Sequence, residues 1–113
     1  MQFNMELAIK NNLNLNDLII LSFIELQVDE RGINNECAIS YSEIIKGLPI
    51  IFDSKANVTN LARLRATLNK DGIEKFITKE IIQEGRSKGA KVIFRLNREN
   101  LNKLNVKGIV KEV

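Results

Sequence analysis

Residues 55–96 read KANVTNLARLRATLNKDGIEKFITKEIIQEGRSKGAKVIFRL, and their pattern decides the fold. The first part has helical spacing. At about 100° per residue, Val58, Leu61, Leu64 and Leu68 share one face, and Lys55, Thr59, Arg63, Ala66 and Lys70 share the opposite one, with Thr67 at its edge. Asp53, Ser54 and Asn57 compete as N-caps, and Asp71-Gly72 supplies a stop after Lys70. Phe76–Glu84 and Ala90–Leu96 are rich in isoleucine, valine and phenylalanine, and Val92, Phe94 and Leu96 alternate with Lys91 and Arg95. Gly85 and Gly89 bracket a turn carrying Arg86, Ser87 and Lys88. The stretch therefore predicts a helix over about 55–70, then a β-hairpin with a basic tip.

Further elements are predicted outward from it. Met1, Phe3, Met5, Leu7 and Ile9 alternate with Gln2, Asn4 and Glu6, the period of a half-buried strand. A helix is predicted from about Asp17 to Val28, with Asn16 as N-cap and Arg31-Gly32 as its end. Its apolar residues cover most of its surface, as expected of a central core helix. Cys37-Ala38-Ile39 suits a short strand, and Ser40 and Glu43 have capping-box spacing for a helix over Tyr41–Lys46, stopped by Gly47. Leu48–Phe52 is an apolar connection containing Pro49. Asn97 is placed to cap a short helix through Leu104, and residues 105–113 read as a last strand or an unstructured tail.

A chain of 113 residues suits a single α+β domain: an N-terminal strand and linker over 1–14, a core over 15–96 and an extension over 97–113. With no histidine and only Cys37, it lacks disulfide frameworks, CxxC redox pairs and Cys/His zinc sites. Cys37, beside Ala38 and Ile39, reads as a small buried hydrophobe. The start MQFNMELAI lacks the pattern of a signal peptide, and the longest apolar run, Leu18–Leu21, is too short to span a bilayer; a cytoplasmic location without membrane contact is expected. Glycine-rich phosphate loops and nucleophile elbows are missing, which argues against an enzyme and against a cofactor or metal. Glu25, Asp29 and Glu30 lie close together but read as a solvated helix end. Tyr41 lacks the histidine and arginine set that a tyrosine nucleophile needs. Fourteen asparagines and sixteen isoleucines point to an AT-rich coding source.

Charge is divided unevenly. Residues 1–53 hold three Lys/Arg against eight Asp/Glu, and residues 54–113 hold fourteen against six. A basic half of this kind implies an anionic partner. On the third helix, short side chains at Thr59, Ala62 and Ala66 permit close approach to a groove. Arg63 can form paired hydrogen bonds to guanine, and Thr59 and Thr67 can touch base edges or methyls. Lys55 and Lys70 flank them as phosphate contacts. Arg86, Ser87 and Lys88 at the tip, with Lys79, Lys91 and Arg95 on the legs, suit a minor groove or the sugar-phosphate backbone. The bland alternative is a solvated charged surface, in which the hairpin cations merely guard its edges. Stacking on single strands is disfavoured, because Phe3, Phe23, Tyr41, Phe52, Phe76 and Phe94 lie mostly in apolar settings.

The order helix, helix, helix, hairpin over about residues 15–96, and the passage LRATLNKDGIEKFI, resemble the winged helix-turn-helix family. That resemblance implies a third helix docked in the major groove of double-stranded DNA, and a wing over 83–92 on the backbone or minor groove. The connection from Gly47 to Asp53 departs from the family, whose two helices are joined by a turn of about 3–4 residues. Size, composition and the N-terminal stretch resemble, within that family, the small accessory proteins of clostridial conjugative plasmids. Those bind a transfer origin and help recruit the relaxase. Transcriptional regulation or replication initiation is the alternative within the family, and docking of an acidic protein is the alternative outside it. A homodimer is also expected, with Phe3–Ile9 or Lys107–Val113 as the pairing edge.

Overall fold

The computed structural model describes residues 2–83 and 90–112, and the turn carrying Arg86, Ser87 and Lys88 lies outside them. The described residues form an α+β fold. Its elements are α1 (Met5–Lys10), α2 (Leu15–Arg31), β1 (Glu36–Ser40), α3 (Tyr41–Gly47), α4 (Val58–Leu68), a 3-10 turn (Asp71–Lys75), β2 (Ile77–Gln83), β3 (Lys91–Leu96), α5 (Arg98–Leu104) and α6 (Ile109–Glu112). No helix among them is long and apolar enough to cross a membrane.

The strands form one antiparallel sheet in the order β1-β3-β2. Glu36 faces Arg95 and Ser40 faces Lys91 across β1 and β3, and Ile77 faces Leu96 across β2 and β3. The alternation expected of β3 is present: Val92 and Phe94 are fully buried, and Lys91 and Arg95 are exposed. A register shift between Ile81 and Gln83 marks a bulge near the turn end of the hairpin.

α2 is the central helix. Leu18, Ile19, Ile20, Leu21, Ile24 and Val28 are all buried, so several of its sides meet protein. Burying such side chains stabilises by roughly 1.5–3 kcal/mol each. Asn14, not Asn16, caps it. The Asn14 side chain accepts from the Asp17 amide while the Asp17 carboxylate accepts from the Asn14 amide, both at 2.9 Å, and this reciprocal pair starts the helix two residues early. Ser40 caps α3 and Asn97 caps α5, both as expected from sequence. Cys37 is buried in the core.

The two chain ends differ from expectation. The alternating N-terminal stretch is the helix α1, not a strand. Asn4 accepts the Leu7 amide at 3.0 Å, Glu6 lies in the first turn and Lys10 in the last, so both caps favour the helix. Of the alternating residues, Met5 and Ile9 are exposed, and Ala8 turns inward. The period-two signal was too short to outweigh these local bonds. The tail is also helical: the Val110 amide donates to the buried Ser22 hydroxyl at 3.1 Å, and Ile109 is buried. Neither end therefore offers the strand edge expected for pairing two copies.

Candidate nucleic-acid interface

α4 begins at Val58, later than expected, because Asn57 wins the competition for its cap. Its side chain accepts the Asn60 amide at 2.9 Å. Asn60 is itself buried, and its Nδ2 donates to the Asp53 carboxylate at 2.5 Å and to the Lys55 carbonyl at 2.8 Å. Asn60 thereby ties the incoming loop to the first turn. Lys55 lies on that loop, outside the helix, and is exposed.

Leu61, Leu64 and Leu68 point into the core as the spacing predicted. Val58 does not. It is 84% exposed, because the first residue of the helix lies beyond the edge of the core. The outward surface is formed by Thr59, Ala62, Ala66 and Asn69, all exposed. An arginine stands on either side of this strip of short side chains. The Arg63 guanidinium lies 5.4 Å from the centre of the buried Phe52 ring, and Arg65 lies 5.7 Å from that of Tyr41. Arg63 also makes a long contact of 3.5 Å to the Asn60 side chain. Neither arginine has a carboxylate partner among the described residues. Ring faces hold these cations without neutralising them.

Arg65 was missed in the sequence because it falls at the border of the apolar stripe. The available signal was its place about 200° around the helix from Arg63, which puts one arginine on each flank of Ala62 and Ala66.

Arg63, Ala66, Thr67 and Lys70 share a shallow groove with Phe52 and the start of α2. The structure thus brings together Arg63, Thr67 and Lys70, with Thr59 on the adjoining outward strip. Lys91 sits elsewhere, at the turn end of the hairpin, opposite Ser40 and Gln83. It is linked to α4 through Tyr41, whose amide donates to the Ala90 carbonyl at 2.9 Å and whose ring carries Arg65.

Three cations assigned to the partner surface have structural duties. The Lys70 ammonium lies 2.6 Å from the carboxylate of Asp17, a buried residue. Lys79 donates to the Leu68 carbonyl at 3.3 Å and to the Asn69 side chain at 2.9 Å, and so caps the C-terminus of α4. Arg95 bridges Glu36 at 2.7 Å and Glu80 at 3.1 Å across the outer face of the sheet, and these two hydrogen bonds raise its pKa further.

Of the three carboxylates near the end of α2, Asp29 and Glu30 are exposed as expected of a solvated helix end, but Glu25 is buried, and cations meet Glu25 and Asp29. Arg98 contacts Glu25 at 3.2 Å and also pairs with Asp29, which Lys107 approaches to 3.2 Å. Burial pushes the Glu25 carboxyl above its ordinary value, and Lys107 and Arg98 only partly reverse this. Partial burial acts the same way on Asp29, but hydrogen bonds from Arg98 and Lys107 outweigh it and hold its carboxyl below the usual range. Among the described residues no group of three or more His, Cys, Asp or Glu side chains is arranged to hold a metal ion.

No family model matches this chain, and neither a curated protein nor a solved structure matches it.

Proposed function

We propose that this protein is a winged helix-turn-helix module that binds double-stranded DNA sequence-specifically, with α4 in the major groove and the β2–β3 hairpin on the backbone or minor groove. One observation carries the reading: α4 presents Thr59, Ala62, Ala66 and Asn69 between two arginines that are seated on aromatic rings and lack carboxylate partners among the described residues. Small residues let the helix backbone approach base edges, and arginine is the side chain best suited to guanine O6 and N7. The order α2, β1, α3, α4, β2, β3 and the sheet order β1-β3-β2 support the same assignment. The α3–α4 connection, residues 48–57, is longer than the family's turn. It is nevertheless a packed segment, with Leu48 and Phe52 buried and the Phe52 amide bonded to the Leu48 carbonyl at 3.0 Å.

The process served is the recognition of a plasmid transfer origin, where the protein acts as a non-enzymatic accessory factor beside a relaxase. This rests on the resemblance described above. A single recognition helix reads few base pairs, so two copies on repeated half-sites belong to the proposal.

Selection from a random duplex pool, followed by titration of the enriched site and its scrambled form at one salt concentration, tests this reading. Preference for the enriched site by at least about a hundredfold is expected, the scale of two lost base contacts. Equal weak binding to both duplexes would contradict it and assign the basic surface to an acidic protein partner instead.

A further inference from the structure

We propose that the cleft between the end of α1 and the 3-10 turn holds a phosphate of the DNA backbone, extending the contact of α4 beyond the major groove. The proposal rests on the duplex-binding reading above and adds residues that the reading does not use.

The cleft, of about 350 Å³, is lined by Lys10, Asn12, Lys70, Asp71 and Lys75 among others. Its three lysines come from three places: the last turn of α1, the segment after α4 and the 3-10 turn. Lys10 and Lys75 are both exposed and have no carboxylate partner among the described residues, whereas Lys70 is shared with Asp17. Of the groups lining the cleft, two lysines without a carboxylate partner among the described residues stand against one exposed carboxylate, Asp71, which leaves the cleft cationic.

The walls are fixed before any ligand arrives. Gly72 packs so closely on α1 that a Cβ there would lie 2.0 Å from the Asn11 carbonyl oxygen. Asn11 is buried, and its side chain donates to the Leu7 carbonyl at 2.9 Å, closing the end of α1. Lys10 and Lys75 are thus carried on two segments whose backbones pack directly on one another at Asn11 and Gly72.

Position links the cleft to α4. Lys70 lines this cleft and also the groove shared by Arg63, Ala66 and Thr67. Arg63 in the one groove and Lys10 and Lys75 in the other cleft therefore lie on either side of the shared Lys70. A duplex whose major groove takes α4 lays its backbone along these cations. Lysine binds phosphate as a point charge and carries no base information.

The test compares the full chain with the double variant Lys10→Gln/Lys75→Gln, titrated with the enriched and the scrambled duplex at several salt concentrations. A second double variant, Lys103→Gln/Lys111→Gln, removes the same charge from α5 and α6. Each backbone phosphate contact contributes about 0.9 to the slope of log affinity against log salt. The cleft variant is expected to lose about 0.9 from that slope and to bind both duplexes roughly tenfold more weakly at moderate salt, with discrimination retained. The control variant is expected to keep most of the slope. An unchanged slope in the cleft variant, with the parent still selecting its site, overturns the cleft and leaves the role of α4 standing. An equal loss of slope in the control overturns it too, because net charge then explains the effect. A parent chain without site preference removes the underlying reading itself. Thermal unfolding of both variants within a few degrees of the parent confirms that each is folded.

Discussion

Two clusters of cations in this molecule are held in opposite ways. Beside α2, Arg98 and Lys107 are matched to Glu25 and Asp29, so their charge is cancelled inside the fold. On α4, Arg63 and Arg65 are held by the faces of Phe52 and Tyr41, so their positions are fixed while their charge stays available. The first cluster joins α5 and the segment before α6 to the central helix. The second leaves positive charge facing solvent. Summed charge does not separate these uses. Partner chemistry does: a carboxylate neutralises a guanidinium, and a ring restrains it.

The comparison can be broken first at Arg98. Arg98→Ala leaves the buried Glu25 carboxylate without its guanidinium, and removal of one partner from a buried pair costs about 3–5 kcal/mol. Because Arg98 is partly exposed, a loss near 3 kcal/mol is expected in chemical denaturation, with duplex affinity of the folded protein unchanged. A loss under 1 kcal/mol would show that the cluster is not structural.

The opposite pattern is expected at α4. Arg63→Ala and Arg65→Ala should each cost at most about 1 kcal/mol of stability, the scale of an exposed cation–ring contact. Each should lower discrimination between the enriched and scrambled duplexes by about 1–3 kcal/mol, about fivefold or more. Equal weakening on every duplex would reduce these arginines to phosphate contacts.

Lys70 sharpens the boundary between the clusters, since it borders the proposed surface yet pairs with Asp17. Lys70→Gln should destabilise by about 1–2 kcal/mol, because Asp17 keeps its hydrogen bond from the Asn14 amide. Site discrimination should hardly move. A loss of discrimination as large as that of Arg63→Ala would move Lys70 into the base-reading set.

The smallest effect concerns pH. Burial on folding raises the Glu25 carboxyl above its ordinary value of 4.5, so the folded state binds that proton more tightly than the unfolded chain. This contribution to stability is full below 4.5 and is lost as pH rises through the folded value. Asp29 works oppositely: its lowered pKa stabilises above 3.8, and that gain is lost on acidification below it. Glu25→Gln should therefore flatten the dependence of stability on pH above 4.5 and leave the loss in stronger acid. A curve unchanged by the substitution would place the titrating group elsewhere.

Much of the fold was legible because local signals agreed. Leu61, Leu64 and Leu68 keep helical spacing, Val92 and Phe94 keep strand spacing, and Ser40, Asn57 and Asn97 each cap the helix they precede. The ends were not legible. Over Met1–Ile9 the alternation of apolar residues competed with the Asn4 cap, and the bond from the Asn4 amide to the Leu104 carbonyl, which helps fix this segment, joins residues a hundred positions apart. The candidate site was legible in position but not in membership. Periodicity placed Arg63 outward. It could not reveal that Lys70, Lys79 and Arg95 would be taken by Asp17, the end of α4, and Glu36 with Glu80. Those partners lie on other elements and become neighbours only after folding.

The central claim is that the outward strip of α4 meets the bases. Amide chemical shifts recorded as the enriched duplex is added to labelled protein test it most directly. The account predicts the largest shifts at Thr59, Ala62, Ala66 and Asn69, with the amides of α5 and α6 nearly still. A silent α4 strip, with the shifts gathered on α5 and α6, would contradict it.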